Sequence, residues 1–181
     1  MHQTVIQNEQ ILIRETDAED LNWVLETEGH PDNREYVYNW PRKRHLECIA
    51  SSDERHFVIE RTTDKSRVGY IILSGLDSEH EVISFDRITI AQKGAGYGRQ
   101  AVRLIKKLCF ETYGCHRLWL DVFDFNPQAR RLYESEGFIY EGTLRDCKKK
   151  NDRYLSMHVL SMLASEYKAS VEDMDDLVTP V

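Results

Sequence analysis

KGAGYG, Lys93 to Gly98, places glycines at three alternate positions, Gly94, Gly96 and Gly98. An apolar run, VISFDRITIA (82–91), precedes it, and RQAVRLIKKLCFETYG (99–114) follows with apolar residues at helical spacing. Strand, glycine loop and helix N-terminus together make an anion site, because the first helical N–H groups lack internal partners and the helix dipole adds partial positive charge. Removing Cβ atoms lets those amides touch phosphate oxygens. Two familiar owners are excluded. G-x-x-x-x-G-K-[ST] does not occur, and the third position of G-x-G-x-x-G is Arg99.

The rest of the chain is read outward from this loop. ILIRET (11–16) reads as a strand, and Asp17 as the N-cap of a helix, AEDLNWVLETEG, with Leu21, Val24 and Leu25 on its apolar face. HPDNREYVYNW (30–40) is irregular and aromatic, and Pro41 suits the first turn of a second helix. RHFVIER and RVGYIILSGL are strands, and EVISFDRITI is a third. A helix runs from about Arg99 to Gly114, with Ala101, Leu104, Ile105, Leu108 and Cys109 inward and Arg103, Lys106 and Lys107 opposite. RLWLDVF is a strand. Asn126 caps a helix whose first residue is Pro127 and whose end is Gly137. FIYEGTLRD and RYLSMHVLSML close the chain as strands, parted by a basic turn, CKKKND. This order predicts one α/β domain: a mixed, largely antiparallel sheet of about seven strands flanked by helices. Residues 1–167 form that domain, and 168–181 are an acidic, solvated tail.

FDRITIAQKGAGYGRQAVRLI followed by LDVFDFNPQARRLYESEGF resembles the GNAT superfamily of acetyl-CoA-dependent N-acetyltransferases. Within it, the segment looks like the branch of ribosomal-protein N-terminal and spermidine acetyltransferases. The family's [Q/R]-x-x-G-x-[G/A] loop is matched by Lys93-x-x-Gly96-x-Gly98, with Lys93 a departure. Asn126, Tyr133, Glu134, Gly137 and Phe138 match the second motif. The resemblance spans about residues 11–163 and implies a GNAT acyl-CoA N-acyltransferase fold.

It also implies acetyl-CoA as cofactor, with the amides of Gly94, Ala95, Gly96, Tyr97, Gly98 and Arg99, together with Lys93, around its pyrophosphate. Ile88, Thr89 and Ile90 would pair with the pantetheine arm, and an amide there would polarise the thioester carbonyl. Asn126 would hold the arm where two strands splay apart, or serve only as the helix cap. Tyr133 would donate a proton to the departing sulfur by direct transfer through a tetrahedral intermediate, or would simply pack in the core with Leu132 and Ala129. Asp86 is the candidate base; a structural ion pair is its other reading. Asp86 shares parity with Ile88 and Ile90, so all three should face one side of the strand. Tyr36, Tyr38 and Trp40 would wall the amine pocket or pack as a satellite core.

The resemblance implies a primary amine as acceptor: a protein N-terminus, a polyamine or an aminoglycoside-like small molecule. An α-amine is neutral about one time in seven at pH 7 and a lysine-like amine about once in 2,500, so the first needs less help from a base; the branch that the chain resembles points to the N-terminal acceptor. The rival class is a non-catalytic acyl-CoA-binding or regulatory module. The resemblance further implies a homodimer.

Composition sets outer bounds. With 31 acidic and 24 basic residues the formal charge is −7, which argues against a general nucleic-acid binder. No apolar stretch approaches the roughly 20 residues of a membrane span. MHQTVIQNEQ lacks the basic start and apolar core of a signal peptide. The four cysteines form no C-x-x-C pair and the seven histidines no H-x-x-x-H, so a metal site is not expected. Free thiols fit a reducing, cytoplasmic setting.

Overall fold

The computed structural model describes residues 3–176, with side chains through residue 172. Two strands open the chain, β1 (Thr4–Gln7) and β2 (Ile11–Glu15), followed by helices α1 (Leu21–Gly29) and α2 (Arg42–Ala50). Strands β3 (Glu54–Arg61), β4 (Arg67–Ser74) and β5 (Val82–Ile90) lead into α3 (Tyr97–Lys107) and a π-helical turn over Leu108–Thr112. Then come β6 (Arg117–Phe123), α4 (Pro127–Ser135), β7 (Ile139–Lys150), β8 (Arg153–Leu163) and α5 (Ala164–Asp176). The sheet order is β1-β2-β3-β4-β5-β6-β8-β7. Every neighbouring pair is antiparallel except β5 with β6, so the sheet is mixed and largely antiparallel, as expected.

One strand was not foreseen. TVIQ is short and set among polar residues, and β1 pairs with β2 across a turn in which Asn8 Oδ1 accepts from the N–H groups of Gln10 and Ile11, both at 2.9 Å. Helix α1 begins at Leu21 rather than after Asp17. Asp17 Oδ1 accepts from Glu19 and Asp20 N–H at 2.8 and 3.2 Å and closes a tight turn instead. The Asp20 carboxylate is taken by Arg14, at 2.7 and 3.0 Å. The basic stretch expected as a turn is strand: β7 runs through Lys150, and only Asn151 and Asp152 turn, with φ of 49° and 60°. Two successive left-handed residues make the tight hairpin that suits strand twist. The expected boundary at 167/168 falls inside α5, and residues 177–181 of the expected tail lie outside the described ones.

Apolar side chains alternate along β4, and each face buries its own cluster. Ile71 and Leu73 join the large core that α3 covers with Ala101, Leu104, Ile105, Leu108 and Cys109. Tyr70 and Ile72 face α1 and α2, against Leu21, Val24 and Cys48. Lys106, expected outside, is buried: its Nζ donates to the Glu136 carbonyl at 2.6 Å. Glu136 also receives Arg99 and Arg103, and thereby ties α3 to the end of α4.

Candidate active site

The sheet opens at its one parallel join. Strands β5 and β6 pair only over Val82–Ser84 and Arg117–Trp119. Beyond that, Arg87 to Ile90 pair with β4 alone, and Asp121 to Phe123 with β8 alone. A cleft of about 1750 Å³ runs through this split. Lys93, Gly94, Gly96, Tyr97, Gly98 and Arg99 line one end, Tyr36, Tyr38 and Trp40 the other, with Asp86, Ile88, Thr89, Ile90, Asn126 and Tyr133 between. Of the residues expected at the site, Ala95 alone does not line it.

At the loop end, Gly94 and Gly96 have φ of +83° and +78°, which side chains tolerate poorly. A Cβ on either would meet nothing within 4 Å, so both positions are open rather than crowded. Gly98 lies inside the first turn of α3, where a Cβ would touch Ile90 and Leu132 at ordinary distances of 3.6 and 3.7 Å. No side chain caps α3, so its first amides are left for a ligand, and the loop fits a pyrophosphate. The Arg99 guanidinium is committed to Ser135 and Glu136, which leaves Arg99 its amide for that purpose.

Helix α4 brings two residues to the split. Asn126 Oδ1 accepts from Ala129 N–H at 3.2 Å, the expected cap, and among the described residues its Nδ2 makes no hydrogen bond. Tyr133 is 7% exposed, edge-on to Phe85 and Phe138 with centroids 6.4 and 5.9 Å away. Burial, and secondarily the charge of Asp121, push its hydroxyl well above the usual tyrosine range.

Asp86 departs from the expected parity. Ile72 pairs with Arg87 but Ser74 pairs with Ser84, so two residues of β5, Phe85 and Asp86, oppose Leu73 alone. This bulge resets the alternation. Phe85, Ile88 and Ile90 all pack on the α3 core, whereas Asp86 accepts a hydrogen bond from Ser84 Oγ on the opposite face. Burial pushes the Asp86 carboxyl up, with Ser74 and Ser84 opposing.

The GNAT acetyltransferase family model matches residues 15–138. The chain belongs to the GNAT family. It is 26% identical over 168 residues to the spermidine N(1)-acetyltransferase of Vibrio cholerae serotype O1, covering 88% of this chain and 96% of the relative. The spermine/spermidine N(1)-acetyltransferase of Bacillus subtilis strain 168 is 31% identical over 70 residues, 38% of this chain and 46% of that one. The structure of the Vibrio cholerae spermidine N-acetyltransferase in complex with CoA and spermine has a TM-score of 0.80 at 26% identity, covering 89% of this chain and 99% of that one. A dodecameric structure of spermidine N-acetyltransferase from Vibrio cholerae gives 0.75 at 27% identity, over 88% and 97%. This GNAT protein is an N-acetyltransferase, and acetyl-CoA is its cofactor.

The aromatic end of the cleft holds residues that sequence reading missed. Phe123 and Phe125 extend the aromatic wall: Phe125 stacks on Tyr36 at 5.9 Å, and Phe123 lies 5.8 Å from Tyr38. Asp121 faces the cleft from β6, and burial pushes its carboxyl up against the opposing charge of Lys148. Its signal was a lone carboxylate in an apolar strand, RLWLDVF. Behind Trp40 lies a buried network. The indole sits between the guanidiniums of Arg44 and Arg87, 4.3 and 4.5 Å from its centroid. Glu28, wholly buried, receives Arg87, Tyr70 Oη at 2.7 Å and Trp40 N–H at 3.2 Å. Burial raises its carboxyl, and the neighbouring His45, Arg87 and Tyr70 more than reverse that. Glu28 lies in phase with the Leu21/Val24 stripe, and a glutamate on an apolar stripe was the available signal. Lys150 donates to the carbonyls of Arg34 and Val37 at 2.6 and 3.1 Å, tying the hairpin to the aromatic loop. Among the described residues no His, Cys, Asp and Glu group could hold a metal ion, and no helix is long and apolar enough to cross a membrane.

Proposed function

We propose that the protein acetylates a primary amine of a spermidine-like polyamine in the cytoplasm. One observation carries this reading: a single cleft runs from the glycine loop, through the strand split beside Tyr133, to an aromatic wall with two open carboxylates. The names of the relatives support the polyamine. The earlier leaning toward an N-terminal α-amine gives way because Asp86 and Asp121 supply what a high-pKa ammonium needs: negative charge to attract it and a proton acceptor to neutralise it. Unpaired cysteines, three of them buried, support a reducing compartment.

Acetyl-CoA supplies the acetyl group as an activated thioester. The first amides of α3 and the backbone of Ile88 to Ile90 hold it across the split, and Asn126 Nδ2 steadies its arm. Asp86 takes a proton from the acceptor ammonium and leaves a lone pair on nitrogen. Tyr133 keeps its hydroxyl proton until a thiolate needs it, and regains one from the nitrogen side through the cleft. One proton per turnover leaves to solvent.

Free thiol release, followed with acetyl-CoA and a panel of spermidine, spermine and a peptide with a free N-terminus, tests this. Turnover of the polyamines at about tenfold higher kcat/KM than the peptide is expected. Preference for the peptide overturns the polyamine, and no thiol release with any amine overturns acetyl transfer.

A further inference from the structure

Ser84 and Trp119 form the last ladder pair between β5 and β6. Two residues further along each strand stand Asp86 and Asp121, on opposite lips of the split and near enough for the charge of Asp86 to act on Asp121. Both belong to the face toward α1 and α2. Ser84, the hydrogen-bond donor to Asp86, sits opposite Ser74 on that side. Asp121 alternates with Leu120 and Val122, whose side chains enter the α3 core, so it points the other way. Asp121 is half-buried, and among the described residues it makes no hydrogen bond and no ion pair within 4 Å. The neighbouring Lys148 acts on it only through longer-range charge. A carboxylate withdrawn from water without a partner is unfavourable, and that cost is removed when a cation arrives.

We propose that Asp121 is a specificity-determining residue for the acceptor, receiving a cationic nitrogen of the polyamine across the split from Asp86. The inference rests on the polyamine reading above. With Asp86 committed to the reacting nitrogen, Asp121 provides a second negative centre on the same face, so that a dication is held better than a monocation. The aromatic faces of Tyr38 and Phe123 flank the route that its methylene chain would follow.

Steady-state kinetics on the full chain test the idea. Wild type, Asp121→Asn and Asp121→Glu are compared with spermidine and with a monoamine of similar pKa. The expected result is a spermidine KM raised about tenfold in Asp121→Asn, with kcat changed less and the acetyl-CoA KM unchanged. The monoamine KM should move little, and Asp121→Glu should recover much of the loss. A spermidine KM within about twofold of wild type overturns the proposal while the polyamine reading stands. Equal losses for both amines, or a raised acetyl-CoA KM, assign Asp121 a structural role and also overturn it. A wild type that turns over the peptide but no polyamine overturns the polyamine reading, and this inference with it.

Discussion

Tyr133 and Asp86 line the same cleft, and the proposed mechanism gives them opposite tasks. Burial holds the Tyr133 proton on at any pH near neutrality, so its hydroxyl keeps the proton that the proposed acid role requires and contributes no ionisation to that pH range. Tyr133→Phe removes that proton and little volume. It should lower kcat by roughly 10²–10⁴ and leave acetyl-CoA affinity, measured by calorimetry, within about twofold. Equal losses in both would assign the ring to packing against Phe85 and Phe138. Asp86 must be ionised to act, and its carboxyl is raised above the ordinary range. Activity should therefore fall as pH falls through that raised value, at a less acidic pH than a solvated aspartate would give. Asp86→Asn should lower kcat and remove this acidic limb from the pH–rate profile; a limb that persists belongs to another group.

At the scale of elements, the loop that opens α3 separates two kinds of glycine. Gly96 is left-handed, so Gly96→Ala strains the backbone by about 1 kcal/mol or more even though the added methyl finds open space. Gly98 is helical, and its added methyl makes ordinary contacts with Ile90 and Leu132. Gly96→Ala should lower the melting temperature of the ligand-free protein by about 2–4 °C, and Gly98→Ala should hold or raise it. A matching drop in both would mean that crowding, not φ, selects these glycines. The loop and its helix were legible because strand alternation, loop and helical period adjoin in sequence. The bulge at Phe85–Asp86 was missed although VISFDRITI carries its trace: the apolar residues shift from odd positions, Ile83 and Phe85, to even ones, Ile88 and Ile90, across the adjacent polar pair Asp86 and Arg87, and laying β5 against β4 shows the shift to be an extra residue. The same limit hid the length of the β7–β8 hairpin. Its lysines look like a turn in isolation, but pairing with Tyr154 and Leu155 makes them strand. Asp121 and Glu28 escaped for a related reason: their roles depend on partners brought from distant parts of the chain.

For the whole molecule, the layer between α1, α2 and the sheet makes folding sensitive to acid. His56 Nε2 lies 3.0 Å from His45 Nδ1, and its Nδ1 lies 2.9 Å from Thr16 Oγ1, in a site that is 3% exposed. Burial first, then the nearby His45 and Arg87, push His56 down from 6.5 to about 3. The folded protein thus requires the neutral ring. Above pH 6.5 neither state carries the proton and stability is unaffected by it. Below 6.5 the unfolded chain binds a proton that the folded chain refuses, so stability falls by about 1.4 kcal/mol per pH unit, down toward the folded value. Glu28 adds to this at lower pH. Its carboxyl is held below the ordinary 4.5, so its stabilisation is present above 4.5 and fades as pH falls through the lowered value. Urea midpoints at pH 7.5, 6.0 and 5.0 read the first effect above the range in which Glu28 acts, and comparison with a His56 variant isolates it. Wild type should lose stability across the lower two, and His56→Gln, less stable at pH 7.5, should show a slope shallower by about one proton. Equal slopes would assign the loss of stability above pH 5 to a group other than His56.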